Sequence, residues 1–236
     1  MREIPVGLEH RFASIPSIRF AFGDARRPLP LPFAAEPSLD RRQVHGVRVV
    51  EVDAPGQACG EADGFCTWRA GVMVNVITAD CLPLLFARED GGGVAAVHAG
   101  WRGLLDGVLE SAVAMIAQRD DPARWRCLIG PAAGPCCYEV DEPLVRRFES
   151  RLPWLAPHLI APRHRHLDLG AIARARLNAA GIEDVETLDA CTICSRDERG
   201  EFRYHSYRRR RGEAGPTNQY ACIMIDPDDG GSARTG

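Results

Sequence analysis

One change of hydrophobic period, close to residue 100, limits this 236-residue chain to few folds. Two apolar, partly β-branched runs, residues 71–79 and 82–87, are separated only by Asp80 and Cys81. Short runs of this kind fit buried strands. Pro83 lacks an N–H and argues against a regular central strand over the second run. A third run, residues 94–97, ends at His98. After Gly103 the spacing changes: Leu104, Leu105, Val108, Leu109, Ala112, Val113, Met115 and Ile116 recur every three or four residues. That pattern predicts one amphipathic helix with its apolar face on a sheet. Buried strands, a glycine turn and a sheet-facing helix in succession require a mixed architecture.

The rest of the chain agrees. Residues 17–22, 47–52, 126–129, 185–188 and 220–225 read as strands, and residues 143–150 as a short helix. Asp168 is placed to N-cap a helix over residues 171–180, with Gly181 at its C′ position. Residues 1–40 are proline-rich and irregular. With 45% hydrophobic residues the chain can fill one large core. The expected fold is therefore a single α/β domain over residues 1–236: a sandwich of mixed β-sheets with flanking helices, and a disordered tail at 226–236. The net charge of -3 gives no global basic surface for nucleic acid and no polybasic block for a membrane. Arg208-Arg209-Arg210-Arg211 is a local exception, read either as a solvated face or as an anion site. The N-terminal residues carry no signal-peptide pattern, and no apolar run approaches the roughly 20 residues that span a bilayer. The expectation is a cytoplasmic monomer.

Nine cysteines, an odd number in a chain of this size, read as thiols, ligands or nucleophiles rather than a disulfide frame. The Cys191–Cys194 C-x-x-C pair and the adjacent Cys136 and Cys137 read separately, as structural and packing residues. Cys81 differs because it shares a pattern with His45 and His98: each sits at the end of an apolar strand. Two imidazoles and a thiolate suit zinc, with a fourth position left open for catalysis. Without metal, the same groups make a Cys–His pair in which the thiolate attacks. Spacing alone does not choose between these.

Several motifs together resemble one family. They are residues 43–46 (Gln-Val-His-Gly), 62–64 (Ala-Asp-Gly), 78–83 (Thr-Ala-Asp-Cys-Leu-Pro), 98–103 (His-Ala-Gly-Trp-Arg-Gly), 129–131, 138–140, 168–169 and 206–209 (Ser-Tyr-Arg-Arg). In this order they resemble the laccase-domain or multicopper polyphenol oxidase-like family, also called peptidoglycan editing factor or purine nucleoside phosphorylase-type proteins. The resemblance implies zinc on His45, Cys81 and His98, and a fold similar to that of a toxin deamidase with a Cys–His site. It implies a purine nucleoside and phosphate as substrates: phosphorolysis of adenosine, inosine or methylthioadenosine, and hydrolytic deamination of adenosine. Copper is not expected, since no second histidine-rich set accompanies the first.

Roles follow as expectations. Cys81 and His98 are the catalytic candidates, with Asp80 as a proton carrier or a holder of its loop. Arg102 at the helix start, with Ser206, Arg208 and Arg209, would hold phosphate. Gln43 would bind substrate or orient His45. The alternatives are a metal-free Cys–His hydrolase acting on peptidoglycan precursors, with Cys81 as nucleophile and His98 as base, and a non-catalytic nucleoside binder. Two departures bear on substrate contacts. Residues 22–26 (Phe-Gly-Asp-Ala-Arg) stand where the family has a glycine-rich loop, and Thr217-Asn218-Gln219 replaces Thr-Gly-Arg.

Overall fold

The structure, a computed structural model, describes residues 11–210 and 218–227. Strands β1 (Ile18–Phe22), β2 (Asp40–Arg42), β3 (Val49–Glu51), β4 (Ala58–Glu61), β5 (Gly64–Thr67), β6 (Val74–Thr78), β7 (Leu82–Arg88), β8 (Val94–Ala99), β9 (Trp125–Ile129), β10 (Asp184–Thr187) and β11 (Gln219–Ile225) make three sheets. The largest is six-stranded and mixed, in the order β10-β9-β7-β8-β5-β3. A three-stranded antiparallel sheet, β1-β11-β6, packs on one of its faces, and β2 pairs with β4 apart from both. Helices α1 (Trp101–Asp106), α2 (Val108–Ala117), α3 (Glu142–Arg151), α4 (Pro157–Ile160) and α5 (Leu169–Ala179) cover the other face.

Strand period 2 explains how β7 serves both layers. Leu84 and Phe86 point to the helices, where they meet Leu105, Leu109 and Ile172. Leu85 and Ala87 point to the small sheet, against Val74, Val76 and Ile223. Leu84, Leu85 and Phe86 are all fully buried. Each such side chain contributes about 1.5–3 kcal/mol, so the ends of β7 and β8 are rigid places to mount chemistry.

Two sequence expectations need correction. Pro83 does lie in a central strand, opposite His98 of β8. Its carbonyl accepts from the Gly130 N–H at 2.8 Å, so its polar backbone atoms face the point where β9 has just ended. The missing donor falls at the end of a ladder and costs no strand bond. The helix expected over 104–116 starts earlier, at Trp101, and is broken in two by Gly107, whose φ of 111° is open to glycine alone. The apolar face continues across the break, which is why the periodicity hides it. Asp168 caps α5 as expected, accepting from the Ala171 N–H at 2.9 Å, and Gly181 follows at φ 98°. Of the expected tail, Asp226 is held by its N–H to the Ser17 carbonyl and by an ion pair with Arg19, and residues 228–236 lie outside the described residues. The N-terminal ten residues and Arg211 also lie outside them. Among the described residues no helix is long and apolar enough to cross a membrane.

Candidate metal centre

The site forms where the chain leaves one sheet for the other. β6 ends at Thr78 in the small sheet, and β7 begins at Leu82 in the large one. Asp80 makes the crossing at φ 83°, a left-handed conformation that a non-glycine residue keeps only when its surroundings hold it. They do. One carboxylate oxygen accepts from the Thr192 hydroxyl at 2.6 Å, and the other from the Ser206 hydroxyl at 3.0 Å and the Arg208 N–H at 2.8 Å. Asp80 is buried, and both its oxygens are committed. That geometry fits the loop-holding role of Asp80 rather than proton transfer, and it aims Cys81 into the cavity beyond.

A residue whose role the sequence left unassigned, Asp63, organises the other two groups. It stands just before β5 and is fully buried. Its carboxylate accepts the backbone N–H groups of Val44 (3.2 Å), His45 (3.0 Å) and Gly46 (2.8 Å), and Nδ1 of His98 lies 2.7 Å from it. His45 sits at φ 61°, and the three N–H bonds hold that turn. One carboxylate thus fixes both histidines, and with Nδ1 of His98 engaged, Nε2 is left for the site. Burial alone would raise the Asp63 carboxyl, but the His98 hydrogen bond and the backbone N–H groups outweigh it and hold it below its usual range.

His45, Cys81 and His98 come together as expected. Their ligand atoms all lie within 4.8 Å of one another. The Cys81 sulfur is 3.7 Å from His45 Nε2, and the imidazoles meet edge to face with centroids 4.7 Å apart. Tetrahedral zinc, with Zn–S about 2.3 Å and Zn–N about 2.1 Å, separates its nitrogen and sulfur ligands by about 3.6 Å. The donor set and spacing therefore fit such an ion. Without metal, burial raises the Cys81 thiol, but hydrogen bonds to His45 and His98 overcome this and bring it down to about 7. Burial lowers His98, while Asp63 and Cys81 raise it further, to about 9. Gly100 makes the approach possible: a Cβ there would stand 2.6 Å from His45 Cδ2 and 3.1 Å from the Cys81 sulfur.

The cluster lies in a cavity of 640 Å³, within the usual range for small-molecule sites. Arg102, Arg208, Trp101, Tyr138 and Tyr207 line it. Arg208 stacks over Tyr138 and donates to the Glu139 carbonyl, while Arg102 lies over Trp101 with no carboxylate partner among the described residues. Gln43 also lines the cavity, but its amide pairs at both ends with the Ile77 backbone, at 2.7 and 2.8 Å. Two expected phosphate contacts lie elsewhere. Ser206 is fully buried behind Asp80. Arg209 donates to the carbonyls of Thr192, Ile193 and Tyr204 and stacks on Phe202, so its fork is occupied. The expected helix N-terminus is also weak, since α1 has only 6 residues.

Thr192, which no motif marks, holds Asp80, and Tyr138, within the 138–140 motif but without an expected role, lines the cavity. Of the two departures, Asn218 lines the cavity, Gln219 holds the His205 backbone, and Thr217 lies outside the described residues. The 22–26 segment runs from the last residue of β1 into a bend whose Ala25 N–H donates to the Arg203 carbonyl, and none of it lines the cavity.

Residues 31–226 match the family model described as multi-copper polyphenol oxidoreductase laccase. A protein of Xylella fastidiosa (strain Temecula1) named purine nucleoside phosphorylase is 41% identical over 179 residues, 72% of this chain and 66% of that protein. The chain thus covers just under two thirds of that relative's length. A Deinococcus radiodurans protein of the same name is 35% identical over 214 residues, covering 89% of this chain and 79% of its own. The crystal structure of YlmD from Geobacillus stearothermophilus is similar with a TM-score of 0.69 at 32% identity, over 83% of this chain and 76% of that one.

Proposed function

Since the chain belongs to the multi-copper polyphenol oxidoreductase laccase family, we propose that it cleaves purine nucleosides with inorganic phosphate, using zinc held by His45, Cys81 and His98. The observation that carries this reading is the union, in one 640 Å³ cavity, of the three-ligand cluster with Arg102, Arg208 and three aromatic side chains. The names of the relatives support the same substrate class.

A purine offers a flat face, and Trp101, Tyr138 and the exposed Tyr207 offer rings to stack on it. Arg102 and Arg208 present N–H forks suited to phosphate oxygens. Held there, phosphate displaces the base at C1′, giving ribose 1-phosphate and the free purine. Asp63 keeps His98 and the His45 turn in place throughout, and Asp80 does the same for Cys81. Bound to these ligands, zinc would supply Lewis-acid polarisation of an oxygen. Zinc is favoured over copper because the described residues offer one set of two imidazoles and a thiolate with no second histidine-rich group beside it, the donor set of an open catalytic zinc site rather than of a multinuclear copper cluster. Adenosine deamination is proposed at the same place, with water in place of phosphate.

The test is base release from inosine and adenosine, with and without phosphate, on metal-loaded and chelator-stripped protein. The reading expects release that needs both phosphate and metal. Arg102→Ala should raise the KM for phosphate by about 10–100-fold, the effect of losing a charged hydrogen bond, with metal content unchanged. Equal loss of metal would sink that assignment.

One observation favours a second reading, a thiol hydrolase. The Cys81 thiol at about 7 beside a His98 raised to about 9 is poised as a thiolate–imidazolium pair. Full turnover by stripped protein, abolished by alkylation of Cys81, would establish it over the zinc reading.

A further inference from the structure

Away from the cavity cluster, four thiols converge from two segments far apart in sequence. Cys136 and Cys137 lie in the turn after Gly134-Pro135, and Cys191 and Cys194 lie in the turn after β10. A bridge between Ala132 and Cys191, with the Thr192 N–H donating to the Ala132 carbonyl at 2.9 Å, holds the segments side by side. All four sulfurs lie within 4.8 Å of one another, and those of Cys136 and Cys194 are 3.6 Å apart. A disulfide needs about 2.0 Å. Four sulfurs around zinc, each about 2.3 Å from it, stand about 3.8 Å apart. The spacing is that of an ion's ligands.

The backbone is arranged for thiolate. The Cys191 sulfur accepts the Gly134 N–H at 3.3 Å, and the N–H groups of Ile193 and Cys194 also point to it. A C-x-x-C turn that aims its own amides at its first sulfur spreads the negative charge a bound metal leaves there. Arg163 donates to the carbonyls of Pro135 and Cys136, each at 2.7 Å, and brings a positive charge beside the set.

We propose that Cys136, Cys137, Cys191 and Cys194 hold a structural zinc ion. The four thiols bind as thiolates and release their protons to solvent. Four protein ligands close the coordination shell, so this ion takes no substrate. Its work is to tie down the cavity wall. Tyr138, which lines the cavity, follows Cys137 directly. Thr192, between the other two cysteines, donates to Asp80, and the carbonyls of Thr192 and Ile193 receive Arg209. Losing the ion frees both segments and, through Thr192, loosens the turn that presents Cys81.

The test uses the full chain, reduced and stripped of metal without oxygen, then titrated with cobalt(II). The wild type should show the strong sulfur-to-cobalt charge-transfer absorption of a four-thiolate site. Cys81→Ser should keep that absorption, which separates this site from the proposed catalytic one. Cys136→Ser/Cys194→Ser should lose it, and total metal should fall from about two equivalents per chain to about one. Because that variant can lose folding with its metal, a second readout uses the wild type alone: zinc should protect these four cysteines from alkylation, as mapped by mass spectrometry. No four-thiolate absorption in the wild type, or alkylation at equal rates with and without zinc, would overturn the proposal.

Discussion

Asp63→Ala should destabilise the protein by about 3–5 kcal/mol, the scale of breaking a buried charge pair, and weaken metal binding by about 10–100-fold. The carboxylate is fully buried and receives three consecutive backbone N–H groups and the His98 ring. Alanine orphans all of them at once, and buried donors without acceptors keep their full desolvation cost. His45 then has nothing to hold its left-handed turn, and His98 loses the partner that fixes its tautomer. Asp63→Asn keeps the volume but turns an amide NH2 towards N–H donors, so it should recover little. Thermal unfolding should show a fall on the order of 10 °C, and chelator competition should show the weaker binding. Wild-type values in both would remove Asp63 from the centre of the site.

Gly100→Ala should do the opposite to the balance between stability and chemistry. Its φ of -71° and ψ of 166° are open to any residue, so the backbone does not resist alanine, and the unfolded chain loses some freedom. The resistance comes from the site, since the new methyl would lie 2.6 Å from the His45 ring. The ring must move by the better part of an ångström, and displacements of that size cost about 100-fold in rate. The expected signature is a thermal midpoint near wild type with about 100-fold lower turnover and weakened metal binding. Equal turnover would mean that His45 is free to relocate without consequence. Loss of fold instead would mean that the close approach belongs to packing rather than to the site.

Both residues lie in motifs the sequence offered, 62–64 and 98–103, but their contacts were not readable there. His45, Cys81 and His98 stood out because each broke an apolar strand at its end, where a core has no use for it. In the structure Cys81 and His98 do sit at strand ends, leading into β7 and closing β8, whereas His45 lies in the turn between β2 and β3 that Asp63 holds. Asp63 stood within one of the resembling motifs, residues 62–64, but nothing local gave it a role, since its partners are mostly amides that every residue possesses. Local composition had no way to show that Asp80 is held by Thr192, which lies 112 positions away. The same distance effect hid the four cysteines. The sequence presented an adjacent pair and a C-x-x-C turn, and only the Ala132–Cys191 bridge makes them one cluster. Strand and helix types were legible because periodicity is a local property. The break at Gly107 was not, since the apolar face runs on across it, and Pro83 misled because its place beside the end of β9 depends on a neighbouring strand.

The most direct test of the central claim is metal content measured beside phosphate-dependent nucleoside cleavage, on the same preparations of wild type and Cys81→Ser. The expected result is that Cys81→Ser binds about one zinc fewer per chain, whatever the four cysteines hold, and loses cleavage with it. Unchanged metal content in Cys81→Ser, or full phosphorolysis by wild-type protein stripped of metal, would contradict a catalytic zinc on His45, Cys81 and His98.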